Sequence, residues 1–362
     1  MHLYVHIPFC HHICPYCGFY KHQPGKLANR AFVDALLAEA KIRAGEIDAP
    51  IKTVFFGGGT PSLLSPTHLE RLCLGLTEIF NLGSVDEWTL EANPATYDLE
   101  KAKLIRDLGV SRVSLGIQSF HPDILKTLGR DHTSSDAVDA YHTLREANFE
   151  SVSIDLMFSI PGQTTEHWQA DLEKAVGLNP DHISAYNLTY EEDTEFLTRH
   201  EQGELDTNED RDADLFYLGL DFLESNDFRQ YEISNYAKPG KESQHNKAYW
   251  FGADYLGLGP GAVTTLNGHR WKTLADTAAY VKASEAGLDT RTDIEILSKE
   301  DKRLEAIALQ LRTREGVSRR FIQTSDPIDS LIEQGLISEN GEQLILTRSG
   351  KALADPIAAA LV

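Results

Sequence analysis

Between Leu3 and Ile233 short apolar runs alternate with longer amphipathic stretches about seven times, and no other feature restricts the fold as tightly. Leu3–Ile7, Lys52–Phe56, Glu87–Ala92, Arg112–Ile117, Ser151–Met157, His182–Leu188 and Tyr231–Ile233 read as strands. Helices are expected from about Ala28 to Ala44, from Ser65-Pro66 onward, and over Asp98–Leu108, Ser134–Ala147, Thr165–Gly177 and Asp210–Asn226. Ser65-Pro66 is a start signal in itself. The serine caps free N–H groups, and proline at the first helical position gives up no hydrogen bond. Repeated strand-then-helix units imply parallel strands joined by crossover helices, and so many of them favour an open or closed α/β barrel over a flat sheet. In such barrels the chemistry sits at the C-terminal ends of the strands.

Residues 234–272 break this pattern. They are rich in Gly, Asn, Tyr and Trp, show little periodicity, and read as a long functional loop. Beyond residue 297 a smaller module is expected. It has helices at Lys299–Arg312, Ser318–Gln323 and Pro327–Gln334, a turn at Asn340-Gly341 and a strand at Gln343–Thr347. A last helix over Ser349–Ala359 contains Pro356, a candidate break. The order is winged-helix-like, but the would-be recognition helix carries Asp326, Asp329 and Glu333 and no basic residue, the wrong charge for DNA. Packing or dimerisation is the expected use. The chain thus divides into a barrel at 1–235, a connecting segment at 236–296 and a small C-terminal domain at 297–362.

Charge narrows the partners. With 55 acidic against 34 basic residues the net charge is −21, the opposite of a nucleic-acid-binding footprint. No run approaches the roughly 18 apolar residues of a membrane span. Met1-His2-Leu3-Tyr4-Val5 leads straight into a strand, without the basic and apolar stretches of a secretory leader. A cytoplasmic protein is expected. Any membrane contact would be peripheral, since no strongly basic amphipathic helix is present.

Three of the four cysteines, Cys10, Cys14 and Cys17, lie in one loop after the first strand, spaced C-x3-C-x2-C. Disulfides are a poor explanation in a reducing compartment, and three close cysteines would leave one unpaired. Three thiolates can hold three irons of a [4Fe–4S] cluster and leave the fourth iron open to a small molecule. The alternative is a Cys3His zinc site completed by His6, His11, His12 or His22. Cys73, in the helical pattern Leu69, Leu72, Cys73, Leu76, reads as a core residue.

The loop His6-Ile7-Pro8-Phe9-Cys10-His11-His12-Ile13-Cys14-Pro15-Tyr16-Cys17 resembles the signature of the radical S-adenosylmethionine (SAM) superfamily. The resemblance implies a partial (β/α)6-type barrel, a [4Fe–4S] cluster on Cys10, Cys14 and Cys17, and SAM chelated to the open iron. It also implies Tyr16 against adenine and Tyr4 near the sulfonium. Gly57-Gly58-Gly59-Thr60-Pro61 resembles the family segment that binds the SAM amino group, its glycines letting backbone N–H groups approach a ligand. Glu91, Gln118, Arg130 and Asp155 fall at or near strand ends. They match SAM-contacting positions of the anaerobic coproporphyrinogen III oxidases, as does the segment Ile154–Thr164.

Within that group three features resemble the HemW-type haem chaperones more than the oxidase. Phe19 stands where the oxidase has a further cysteine, Cys10 follows a short leading segment, and His245-Asn246-Lys247-Ala248-Tyr249-Trp250 is an H-N-x-x-Y-W motif. The resemblance implies His245 as a haem ligand, with Tyr249, Trp250 and Phe251 covering the macrocycle. Gly257–Gly261 is expected to shape the same pocket, and Arg270 beside His269 to meet a propionate. It implies as well delivery of haem to acceptors such as respiratory cytochromes, and a homodimer. Oxidative decarboxylation of coproporphyrinogen III is the competing activity.

Overall fold

The computed structural model describes residues 1–25, 29–324 and 326–362. The opening helix runs Asn29–Ala44, and Ala28, its expected first residue, lies outside the described residues. The chain is α/β. Strands β1 (His2–Ile7), β2 (Thr53–Gly58), β3 (Glu87–Ala92), β4 (Arg112–Gln118), β5 (Ser151–Phe158) and β6 (His182–Asn187) pair in sequence order, each parallel to the last. Their period-2 alternation sorts side chains between two faces. In β1, Leu3, Val5 and Ile7 are fully buried beneath the crossover helices, while His2, Tyr4 and His6 point into the lumen. Arg112, Ser114 and Gly116 in β4, and Ser151, Ser153 and Asp155 in β5, continue this polar inner face.

The expected seventh unit departs from the series. After β6 come β7 (Arg229–Glu232) and β8 (Asn235–Ala237), and it is β8 that pairs with β6, antiparallel, with β7 beyond it. The link at Ile233-Ser234 is too short for a crossover and permits only a hairpin. Nor is 234–272 a loop. It holds helix Gln244–Trp250, β9 (Tyr255–Leu258), β10 (Val263–Leu266) and β11 (His269–Thr273); β12 (Arg291–Ile296) follows. β9 runs parallel to β1, pairing Leu3 with Leu256 and Val5 with Leu258, so the segment extends the sheet on its other side. Strands of four or five residues broken by glycine hide their periodicity. At Gly257 the glycine is compulsory, because a Cβ there would lie 2.2 Å from the Val263 carbonyl oxygen.

A buried carboxylate fastens this extension. Glu39, on helix Asn29–Ala44, accepts from the Gly259 N–H (2.9 Å), the Tyr280 hydroxyl (2.7 Å) and the Thr290 hydroxyl (3.2 Å). Removing it would strand three buried donors, each costing about 1–3 kcal/mol.

The C-terminal region has its own apolar core, built from Ile307, Val317, Ile328, Ile337, Leu344 and Ile357 among others. β13 (Val317–Ser318), β14 (Ile337–Asn340) and β15 (Gln343–Leu346) form a three-stranded sheet in the order β13-β15-β14. The helix expected at Ser318–Gln323 is only a 3-10 turn at Arg319–Phe321, because β13 takes Ser318 into the sheet. Pro356 breaks nothing. It sits in the first turn of helix Ala354–Ala360, where backbone N–H groups have no helical partner to lose.

Candidate functional site

The cysteine loop leaves the C-terminal end of β1 and is strapped down by main-chain bonds. Cys10 N donates to the His22 carbonyl (3.1 Å), His22 N to Pro8 (2.8 Å) and Thr60 N to Phe9 (2.8 Å). The Thr60 hydroxyl reaches Cys10 Sγ at 3.6 Å, and Arg130 Nη1 reaches Cys14 Sγ at 3.8 Å. Burial pushes the Cys10 and Cys17 thiols up, so thiolates here call for a bound cation to offset their charge. Among the described residues no three His, Cys, Asp or Glu side chains converge as ligands of a single metal ion would. A [4Fe–4S] cluster asks for a looser arrangement, each thiolate meeting its own iron, and three thiolates on one loop suit it. His6, a candidate fourth zinc ligand, bonds Tyr4 and the Tyr20 carbonyl instead.

Around the same strand ends the structure gathers most of the expected ligand-binding residues. Gly58 N donates to Glu91 Oε2 (3.2 Å), Gly59 N to Ile7 O and Thr60 N to Phe9 O (both 2.8 Å). This corrects the expected role of the glycine run, whose N–H groups past Gly57 are already used within the protein. Asp155 is held by the Ser114 (2.8 Å) and Ser153 (3.1 Å) hydroxyls. Gln118 closes β4 at φ 71°, a strained position for a residue with a side chain. Arg130 Nη2 donates to the Gly116 carbonyl (2.6 Å), which ties it to the same strand end. Tyr16 packs near Phe196, their ring centres 6.3 Å apart, beside a small apolar cluster that includes Met157, Ile160 and Leu188.

Enclosure by the barrel, with Asp155 as a like-charged neighbour, pushes the Glu91 carboxyl up to about 8. A carboxyl whose pKa is higher folded than unfolded binds more protons in the folded state, so its contribution to stability falls as pH rises from its ordinary value towards 8. This group should therefore cost the cofactor-free protein stability to urea between pH 5 and pH 8, by at most about 1.4 kcal/mol per pH unit, against the opposite contribution of His2, His132 and His245, whose lowered pKa values make stability rise with pH. Glu91→Gln should remove this downward contribution, so that stability of the variant relative to wild type rises between pH 5 and pH 8. An unchanged slope in the variant would show that Glu91 is ionised throughout.

His245 lies at the other end of the barrel. Its Nδ1 bonds the hydroxyl of Thr53, the first residue of β2 (2.7 Å), which also bonds His2 Nδ1 (2.8 Å). Glu87, at the start of β3, accepts from the N–H groups of Gln244 and His245 (both 3.0 Å) and holds the helix N-terminus against the strand ends. His245 is 0% exposed, so the motif does not present an open ligand. Tyr249 packs between His245 and Tyr255, and Trp250 against Tyr231, leaving Phe251 as the exposed aromatic. Gly257–Gly261 does not share this pocket. Gly259 abuts His6 and Gly261 abuts Tyr20, at the cysteine-loop end. Arg270 is also committed, to Glu305 (Nη2–Oε2 2.9 Å).

Sequence reasoning passed over Ser114, Ser153 and Arg112, and weighed His6 only as a zinc ligand. The signal was present, because each falls on the alternation that carries Tyr4 or Asp155 into the lumen. It was missed because only the strand ends were searched.

A partial parallel barrel with three loop cysteines at its C-terminal rim and carboxylates inside defines a radical-SAM-type protein, and the family described as the radical SAM superfamily matches residues 4–175. Relatives resolve the branch. A Lactococcus lactis protein named heme chaperone HemW is 36% identical over 365 residues, covering 98% of this chain and 95% of its own length. The Bacillus subtilis protein of that name is 34% identical, covering 98% and 97%, and the Escherichia coli one 34%, covering 96% and 94%. The chain belongs to the HemW family of radical SAM proteins. Among solved structures, coproporphyrinogen III oxidase (HemN) from Escherichia coli matches with a TM-score of 0.84 over 99% of this chain and 89% of that one. Its 22% identity makes this a likeness of fold.

Proposed function

We propose that the chain is a cytoplasmic haem chaperone that binds a [4Fe–4S] cluster and SAM at the cysteine-loop end of its barrel, takes haem on His245, and passes it to acceptor proteins such as respiratory cytochromes. Cys10, Cys14 and Cys17 would hold the cluster. Tyr4, Tyr16, the Gly57–Thr60 carbonyls, Glu91, Gln118, Arg130 and Asp155 would hold SAM. When bound, the cluster and SAM supply one-electron chemistry in this family, in a structural, regulatory or reactive capacity. The residues themselves provide acceptors for an ammonium (the glycine carbonyls and Glu91), a guanidinium for a carboxylate (Arg130) and an apolar wall for a base (Tyr16 and its cluster).

The observation carrying the haem assignment is the state of His245. Burial pushes its pKa down to about 3, so the imidazole is neutral. Nδ1 is held by Thr53, and Nε2 is buried without a hydrogen-bond partner among the described residues. With the Thr53 proton going to His2 Nδ1, His245 Nδ1–H donates to the Thr53 oxygen and Nε2 keeps a lone pair, which is what a haem iron requires. Because the residue is enclosed, helix Gln244–Trp250 must lift from the strand ends for a macrocycle to reach it. The names of the relatives support the same cargo.

The test is anaerobic: reconstitute the cluster, add SAM and reductant, and offer haem and coproporphyrinogen III separately. Stoichiometric haem binding without protoporphyrinogen formation is expected. Turnover to protoporphyrinogen would instead make the protein an oxidase, with Phe19, which is 71% exposed beside the cluster cysteines, at the entrance to its substrate site.

A further inference from the structure

Tyr4 and His6 project into the lumen from the same strand and are bonded to each other. The Tyr4 hydroxyl lies 2.9 Å from His6 Nδ1, and His6 Nε2 lies 2.8 Å from the Tyr20 carbonyl oxygen. A carbonyl only accepts, so Nε2 must carry the imidazole proton, and in the neutral ring Nδ1 then has only a lone pair. The ring is 5% exposed, and burial pushes its pKa down, which keeps it neutral. The phenol is therefore the donor, and its proton points at His6.

The surroundings are shaped to hold this histidine in place. A Cβ on Gly58, which sits at φ +106°, would come within 2.5 Å of the His6 ring, and one on Gly259 within 2.6 Å of the His6 carbonyl. Neither position tolerates a side chain while the ring stays where it is. On the neighbouring strand β2, a Cβ on Gly57 would lie 3.1 Å from both Tyr4 Cε2 and Glu91 Oε2. Tyr4 and Glu91 thus border one space, opened by a glycine.

With its proton committed to His6, the Tyr4 oxygen can turn only lone pairs towards that space, and Glu91 is an acceptor once ionised. We propose that His6 is a positioning residue that makes Tyr4 an acceptor rather than a donor, so that this side of the site selects a cationic ligand over a neutral one of the same shape. The inference rests on the SAM reading above. It goes further by assigning recognition of the onium charge to a Tyr4–His6 pair.

The experiment measures binding of SAM and of S-adenosylhomocysteine, which lacks the methyl group and the positive charge, to the cluster-loaded protein by anaerobic equilibrium dialysis. Tyr4→Phe and His6→Leu should each lower the preference for SAM about tenfold, and the double variant no further, because the two act as one unit. His6→Asn, isosteric with Leu but carrying an acceptor near the Nδ1 position, should keep most of the preference. Unchanged preference in Tyr4→Phe and His6→Leu would overturn the proposal, and so would equal losses for the two ligands. Should His6→Leu not fold, Tyr4→Phe, which deletes one oxygen, decides alone. A wild-type protein that binds both ligands equally overturns only this inference; one that binds neither overturns the SAM reading with it.

Discussion

Cys14→Ser should abolish the oxygen-sensitive iron–sulfur absorbance while leaving haem affinity within about twofold of wild type. With Cys14 gone, only Cys10 and Cys17 remain on the loop, and two thiolates do not hold a cluster that needs three anchors. Arg130, 3.8 Å from Cys14 Sγ, would also lose the anion it faces. The effect should stay local. The cysteine loop begins beyond Ile7, whereas the His245 ring packs against Thr53 and Phe55 near the start of β2, level with His2 to Tyr4, a separation along the strand of roughly 10 Å or more, at which substitutions usually couple little. Ultraviolet–visible spectra after anaerobic reconstitution, followed by a haem titration on the same sample, measure both. Loss of haem binding along with the cluster would mean that the two sites are one, and would contradict the division between the barrel ends.

His245→Ala should do the reverse. The cluster should assemble normally, while haem affinity falls by about a hundredfold or more and the Soret signature of imidazole ligation disappears. The structure adds a control. Truncating a fully buried ring leaves a cavity and frees the Thr53 hydroxyl, so some stability will be lost whatever the ligand role. Exogenous imidazole separates the two effects. If Nε2 is the ligand, free imidazole should restore the Soret band in the variant without raising its melting temperature to that of wild type. Full-strength haem binding in His245→Ala would place the ligand elsewhere and remove the main support for the haem assignment.

Much of the site was legible because its parts are local. The three cysteines are contiguous in a loop, and the glycine run, Glu91 and Gln118 each end a strand whose apolar pattern marks where it stops. Parallel strands then bring those ends to one rim whatever the loops between them do. Period-2 alternation, followed along the whole of β1, β4 and β5, would have added His6, Ser114 and Ser153, since it is what turns them inward with Tyr4 and Asp155.

What no local pattern carries is which end of the barrel a distant segment reaches. His245 and Gly257 are twelve residues apart in sequence, yet helix Gln244–Trp250 caps the N-terminal strand ends while Gly259 sits against His6 at the opposite rim. Only β9, by pairing parallel to β1, carries the chain from one end to the other. The glycine run likewise looked like an N–H cradle until Glu91, Ile7 and Phe9 were seen to use those donors. The sequence by itself determined the parallel barrel and the cysteine loop, because strand periodicity and ligand spacing act between near neighbours. Tertiary structure alone decided that His245 and the cysteine loop face opposite ends, and that the Tyr4 hydroxyl is bonded to His6, because both depend on which groups the folded strands bring within hydrogen-bond reach.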